Sequence, residues 1–173
     1  MVEIFDENWN PTGQILEKGE ALRQNKWHRV VVLWIVNPRG EVLLSKRALS
    51  KRLRPGMWDV SASGHVGVGE GERDCIIREA REELGLDIVA AELLEVGRAT
   101  AVPPYLVAGF VLRADLPTDD FTFRDGEVAA VKYVPWQDLL ALGTKGMQAA
   151  NIVHTAPWQF LFDYIGGTKN NDI

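Results

Sequence analysis

The first long apolar run of the chain, RVVVLWIV (29–36), is β-branched and lacks a polar alternation, which predicts a strand buried on both faces. NPRG (37–40) reads as a turn, with Pro38 fixing φ and Gly40 tolerating a positive one. EVLLSKR (41–47) then returns as a second strand, so the two are expected to form a hairpin. After RPG (54–56), MWDVSASG (57–64) reads as another short strand.

The period then changes. Ile76, Ala80 and Leu84 recur every four residues and Ile77 widens the stripe, which predicts a helix over 72–84 with its apolar face on the core and Gly85 as its stop. Strand-like stretches follow at 90–100 and 105–114, and an acidic loop, DLPTDDFTFRDGE, leads into a last strand, VAAVKYVP (128–135). WQDLLAL (136–142) and PWQFLFDYI (157–165) read as short helices. With no internal repeat or low-complexity linker, residues 1–173 are expected to form one α/β (α+β) domain, a mixed sheet covered by helices.

Composition narrows the class. A net charge of −5 argues against general nucleic-acid binding, and no apolar run approaches the ~20 residues a bilayer demands. The acidic start, MVEIFDENWN, does not resemble a secretory signal, and a single cysteine, Cys75, suits a reducing compartment. A cytoplasmic protein is expected, with no membrane or nucleic-acid partner. Nothing near Cys75 suggests an activated thiolate.

The chemistry concentrates in GHVGVGEGERDCIIREAREELGL (64–86). On a helix Glu79, Glu82 and Glu83 stand at i, i+3 and i+4, so they are expected to project together, away from the apolar stripe. Like charges at that spacing repel, and hard divalent cations are what such a carboxylate cluster binds. REAREE alone also reads as a plain solvated face. Its register settles the matter. Gly64, Glu70, Arg78-Glu79, Glu82-Glu83 and Gly85-Leu86, with Ala80 as a small apolar member, match the Nudix box, G-x5-E-x7-R-E-U-x-E-E-x-G-U.

This resemblance to the Nudix hydrolases implies an α/β/α sandwich with a mixed sheet and a loop–helix–loop catalytic motif. It implies that Glu79, Glu82 and Glu83 ligate Mg²⁺ or Mn²⁺, that Gly64 lends its carbonyl, and that Arg78 orients the glutamates through Glu70. The implied reaction is water attack on a diphosphate joined to some group X. Metal ions serve it by neutralising phosphate oxygens and acidifying the attacking water. Family members often draw a base from a later loop; Glu127 is the candidate here, with Asp119, Asp120 and Asp125 as further acids.

RALSKRLRPGMWDVSASGH (47–65), DENWNPTGQ (6–14), WHRV (27–30) and APWQF (156–160) also resemble type I isopentenyl diphosphate isomerases, which share the fold. His28 and His65 match histidines of the isomerase metal site. Other isomerase features are missing: Ser63 stands where the catalytic cysteine would be, Pro104-Tyr105-Leu106 where the acidic pair would fall, and Ala21 and Leu22 where a further histidine would. Isomerases also carry an eroded box, whereas this one is intact. The expectation is therefore a hydrolase from an isomerase-like branch. Isomerase activity and a non-catalytic nucleotide-sensing role are the alternatives.

The same resemblance implies that Arg47 and Lys51 bind diphosphate; Arg52 and Arg54 read as solvated. His65, flanking Gly64, is a candidate contact for phosphate or metal-bound water, and the resemblance lets Trp58 and Trp158 pack on the X group. Core packing is the alternative for both tryptophans, and Trp34, in the buried strand, reads as core. His28 reads as structural or as a substrate contact, and His154 has no nameable partner. The substrate, a small diphosphate, is otherwise open: nucleoside diphosphate sugars, dinucleotides, nucleoside triphosphates and prenyl diphosphates all fit. A homodimer through an N-terminal strand is a further expectation.

Overall fold

The computed structural model describes residues 1–142 and 156–168. His154 therefore lies outside the described residues. The chain opens with a two-stranded antiparallel unit, β1 (Val2–Phe5) and β2 (Pro11–Leu16), followed by helix α1 (Lys18–Arg23). Then come β3 (His28–Val36), β4 (Glu41–Arg47), β5 (Trp58–Asp59), β6 (Ala62–His65) and helix α2 (Glu72–Leu84). Strands β7 (Leu93–Ala101), β8 (Tyr105–Arg113) and β9 (Val128–Pro135) and helices α3 (Trp136–Leu142) and α4 (Ala156–Thr168) complete it.

Strands β3 to β9 form one mixed sheet with the path β5-β4-β3-β8-β7; β6 also pairs with β3, and β9 with β4. Central β3 runs parallel to β8 from His28↔Tyr105 to Val36↔Arg113, so it is the buried run the sequence predicted. Alternation divides its side chains. Val31, Leu33 and Ile35 join Leu43, Phe110 and the α2 residues Ile76, Ala80 and Leu84 on one face. Trp34 and Val36 join Leu44, Val111 and the α4 residues Trp158, Leu161, Phe162 and Ile165 on the other. Helices thus cover both faces, the expected α/β/α sandwich.

The expected β3–β4 hairpin exists only at its turn. The two strands register at Val36↔Val42 and then part, with β4 following β9 along its length. The segment 58–65 enters the gap, pairing with β4 through β5 and with β3 through β6. It is one predicted strand divided in two at Ser61, whose hydroxyl accepts from Ile35 N–H at 2.9 Å and donates to Leu43 C=O at 2.6 Å. Ser45 Oγ likewise donates to Val60 C=O at 2.7 Å. Buried backbone groups must find partners, and where the ladder divides these two serines supply them.

The N-terminal unit is tied to this body by Arg29, which donates to Glu3 at 2.7 Å, to Glu72 at 3.2 Å and to Glu70 C=O at 3.2 Å. Ser61→Ala should leave two buried backbone groups short of a partner. The expected cost is about 2–3 kcal/mol, read as a lower urea midpoint at an unchanged slope; an unmoved midpoint would show that the hydroxyl does not bridge the gap.

Candidate active site

Helix α2 runs to Leu84 and ends on Gly85, whose φ of +72° is the left-handed stop that glycine tolerates. Its polar residues are organised by Arg78. The guanidinium grips Glu70 with two bonds, Nε to Oε1 at 2.9 Å and Nη2 to Oε2 at 3.1 Å. Nη1 donates to Glu79 at 2.8 Å and to Glu82 at 3.0 Å. Glu70 also accepts Gly67 N–H at 2.8 Å, so the loop before the helix is bound to the helix itself. Hydrogen bonds from Arg78 hold the Glu70 carboxyl below its ordinary range.

The three glutamates do not form a single outward face. Glu82 is exposed, Glu79 is half-buried, and Glu83 is 7% exposed. The reason is angular: Glu83 stands next to Leu84 and one turn beyond Glu79, at the edge of the apolar stripe, and the stripe is pressed onto β6. Glu79 lies against Gly64, where a Cβ would come 2.0 Å from its carboxyl carbon. Gly64 is thus glycine for room. Glu83 accepts Ser63 N–H at 3.1 Å, and burial pushes its carboxyl up to about 8, with Glu79, Asp125 and Glu127 adding repulsion. Burial also raises Glu79, against the pull of Arg78.

Glu127, on the loop before β9, lies near enough for its charge to act on both Glu79 and Glu83. It is bridged by Lys51 Nζ at 2.5 Å, and its N–H donates to Asp125 at 2.8 Å. The predicted base is thus brought to the carboxylates, with Asp125 beside it, whereas Asp119 and Asp120 sit on a one-turn helix at Thr118–Asp120. Arg47 points inward on its own loop, donating to Leu53 C=O at 3.0 Å and facing Asp59 at 3.8 Å. Both predicted diphosphate residues therefore have internal partners, and only Lys51 meets the carboxylate group through one.

Trp158 is not at the site. It is 1% exposed, edge-on to Trp34 at 5.7 Å and against Phe162, because α4 turns its apolar face onto the sheet. That corrects its assignment to the substrate in favour of core packing. Trp58 is half-buried against the same layer, with Lys132 Nζ 4.2 Å and Lys46 Nζ 5.8 Å from its ring centre. Cys75 is buried, which drives its thiol pKa up.

The resemblance places His28 and His65 in one site; it does not reveal that they contact each other or that Tyr105 packs on both. His28 and His65 are hydrogen-bonded at 3.0 Å, and the Tyr105 ring stands edge-on to both. Only the registers His28↔Tyr105 and Val30↔His65 bring them together, and no local pattern encodes those.

A hard divalent cation suits this donor set. Glu83 is a buried carboxyl with one neutral hydrogen bond, Glu79 faces the Gly64 backbone, and the ligating atoms on offer are oxygens. Among the described residues no three His, Cys, Asp or Glu side chains are gathered closely enough to hold a metal as they stand. Glu79 and Glu82 are turned to Arg78 instead.

Residues 26–156 match the NUDIX domain family. The chain belongs to the Nudix family. It is 33% identical over 149 residues to an uncharacterized Nudix hydrolase, lin0387, of Listeria innocua, covering 83% of this chain and 85% of that protein. It is also 33% identical over 155 residues to an isopentenyl-diphosphate Delta-isomerase of Escherichia coli O127:H6, covering 87% and 79%. A Kocuria rhizophila isomerase is 42% identical over 87 residues, but the match spans only 50% of this chain and 48% of that protein. Among solved structures, DR0079 from Deinococcus radiodurans superposes with a TM-score of 0.73 at 28% identity, covering 84% of this chain and 90% of that one. These relatives place the chain in an isomerase-like branch of the Nudix family. No helix among the described residues is long and apolar enough to cross a membrane.

Two outcomes follow from the Nudix helix. Because Glu83 holds a proton in the folded state up to about pH 8 that the unfolded chain loses near 4.5, metal-free stability falls as pH rises through that window and levels above it. Glu83→Gln keeps an acceptor for Ser63 N–H and should flatten that fall in melting curves recorded with a chelator from about pH 5 to about pH 9; an unchanged fall would refute the assignment. Gly64→Ala forces the Glu79 carboxyl away, and should cut turnover by about tenfold or more with a far smaller change in melting temperature.

Proposed function

We propose that the protein is a Mg²⁺-dependent hydrolase that cleaves a diphosphate bond in a small phosphorylated metabolite by water attack. The observation that carries this reading is the carboxylate group on α2. Glu79 lies against Gly64 and Glu83 is buried at the Ser63 amide of β6, while Arg78, itself held by Glu70, grips Glu79 and the exposed Glu82. Burial raises Glu79 and Glu83, and a bound cation would displace the Glu83 proton and favour the ionised carboxylates. Glu82 and Glu83 would hold Mg²⁺ or Mn²⁺ with Glu79, and the Gly64 carbonyl would add a neutral oxygen. When bound, the metal neutralises phosphate charge and acidifies water.

The remaining roles belong to the chain. Arg78 orients Glu79 and Glu82 through its grip on Glu70. Glu127 takes the proton of the attacking water, and Lys51, 2.5 Å from it, holds its carboxylate in place. Arg47 acts by shaping the loop at 48–57 through its bond to Leu53 C=O. This loop also carries Lys51 to Glu127, while Arg52 and Arg54 are exposed on it, in keeping with their reading as solvated.

The isomerase relatives support a second reading, double-bond migration in isopentenyl diphosphate. Two features weigh against it: a serine hydroxyl at position 63 is a far weaker acid than a thiol, and Tyr105 packs on the histidine pair where that chemistry wants carboxylates. Phosphorus NMR with Mg²⁺ and a panel of diphosphates that includes isopentenyl diphosphate tests both. Wild type should cleave at least one member, and Glu82→Gln should slow that cleavage about a hundredfold or more without loss of fold. Near-wild-type turnover by the variant would remove the metal cage. Migration of the isopentenyl double bond in proton spectra, without phosphate release, would establish the isomerase reading instead.

A further inference from the structure

Three side chains on the sheet face turned away from α2 have no role in the site described above. Leu43 belongs to the core layer under α2 and Leu44 to the layer under α4, so Lys46 shares the α4 face by alternation. Lys132, two residues before Val134 on β9, stands on the same face, and Trp58 of β5 packs against that layer. Lys46 is directly opposite Trp58, and Lys132 is opposite Leu44 on the far side of β4. Trp58 and Lys132 therefore meet across β4. The Lys132 ammonium lies 4.2 Å from the indole ring centre and that of Lys46 5.8 Å, with all three residues half-buried.

No acid completes this arrangement. Residues 42–58 contain neither Asp nor Glu. Glu41, at the other end of β4, is bonded to Asn37 and Arg39, and Asp59 stands on the opposite face against Arg47. Lys51, five residues beyond Lys46, has Glu127 as its partner. Lys46 and Lys132 pair with no carboxylate among the described residues; what they share is the Trp58 ring.

Diagonal neighbours on antiparallel strands stand about 7–8 Å apart, and two cations there repel one another. The negative face of the indole offsets part of that repulsion. It still leaves each ammonium with three N–H donors and no oxygen to receive them. The partner that fits is an anion rich in acceptor oxygens. Two ammoniums on separate strands act as point charges without a planar fork. They suit the tetrahedral oxygens of a phosphoryl group better than a flat carboxylate, which arginine matches.

We propose that Lys46, Lys132 and Trp58 form a phosphoryl-binding site on the α4 side of the sheet, separate from the carboxylate group on α2. The ligand is a small phosphorylated molecule whose phosphate bridges the two ammoniums. Trp58 is a positioning residue that sets their spacing. The site stands on β4, β5 and β9 and does not depend on the diphosphate reading.

The test uses the full chain with ¹³C-labelled lysine and ¹⁵N-labelled tryptophan, in EDTA. Without a divalent cation the α2 carboxylates repel phosphate, so a response at these lysines belongs to the α4 face. Inorganic phosphate, at constant ionic strength against chloride, should move the Lys46 and Lys132 ε-methylene signals and the Trp58 indole signal along one saturating curve. Lys46→Met and Lys132→Met keep an apolar stem, and each should weaken phosphate about tenfold. Trp58→Leu should weaken it severalfold, with Trp58→Phe restoring most of the loss. A drift no different from that in chloride overturns the site and leaves the lysines as a cap on the indole. Saturation that survives both lysine variants unchanged overturns it equally. Should a variant fail to fold, the wild-type curve against chloride decides.

The phosphoryl group belongs either to the far end of the substrate or to a separate molecule, and turnover separates the two. Competitive inhibition by inorganic phosphate that Lys132→Met abolishes supports the site as part of substrate binding. Saturable binding without such inhibition supports it as the site of a second molecule. If no diphosphate is cleaved, the hydrolase reading fails while the phosphate titration still decides this one.

Discussion

The guanidinium of Arg78 sits among three acidic side chains, Glu70, Glu79 and Glu82, that would otherwise repel one another. Its planar fork suits this position, because it binds Glu70 with two parallel hydrogen bonds and still has donors for Glu79 and Glu82. The bond to Glu70 crosses from helix to loop, and Glu70 in turn takes the Gly67 amide. One residue thus sets the loop's path, the helix's approach to β6 and the direction of two carboxylates. The third, Glu83, has no share in the network, and its buried carboxyl is the most strongly perturbed of the group. A site that must accept a cation is served by that asymmetry: Glu79 and Glu82 are held in place by Arg78, and the buried Glu83 carboxyl has no ion-pair partner among the described residues.

The sheet supplies the second constraint. Because β3 and β4 separate beyond their turn, the short segment 58–65 can lie between them, stitched by Ser45 and Ser61. The insertion sets Gly64 on the α2 side and His65 on the other. The loop 48–57 that precedes it is closed by Arg47 and reaches across to Glu127 through Lys51. Arg29 joins the N-terminal hairpin to both Glu72 and the Glu70 backbone, so that hairpin bears on the same loop Arg78 holds. Elements far apart in the chain therefore converge on a few residues at one end of α2.

Likeness to isomerases and an intact Nudix box point to different chemistries, and the difference is local. On the α2 side the box residues Gly64, Glu70, Arg78, Glu79, Glu82 and Glu83 are all present. On the opposite face, two histidines that match isomerase metal ligands are spent on each other, and Tyr105 packs against both.

Much of the architecture was legible because it depends on local periodicity. The bounds of α2, the Gly85 stop, β4, β9 and α3 all follow from patterns of a few residues whose physical cause is contained in the segment. The spacing of Gly64, Glu70, Arg78 and the glutamates was legible for the same reason, since one loop and one helix carry them all. Tertiary structure decided everything that depends on which segments become neighbours. The parting of β3 from β4 is set by a strand inserted from elsewhere, and the unequal burial of Glu79, Glu82 and Glu83 by how the helix rests on β6. Trp158 belongs to the core because α4 crosses the sheet, a fact of packing rather than of sequence spacing. The His28–His65–Tyr105 trio depends on the registers of β3 with β6 and β8, and a register is a property of the assembled sheet that no single strand specifies.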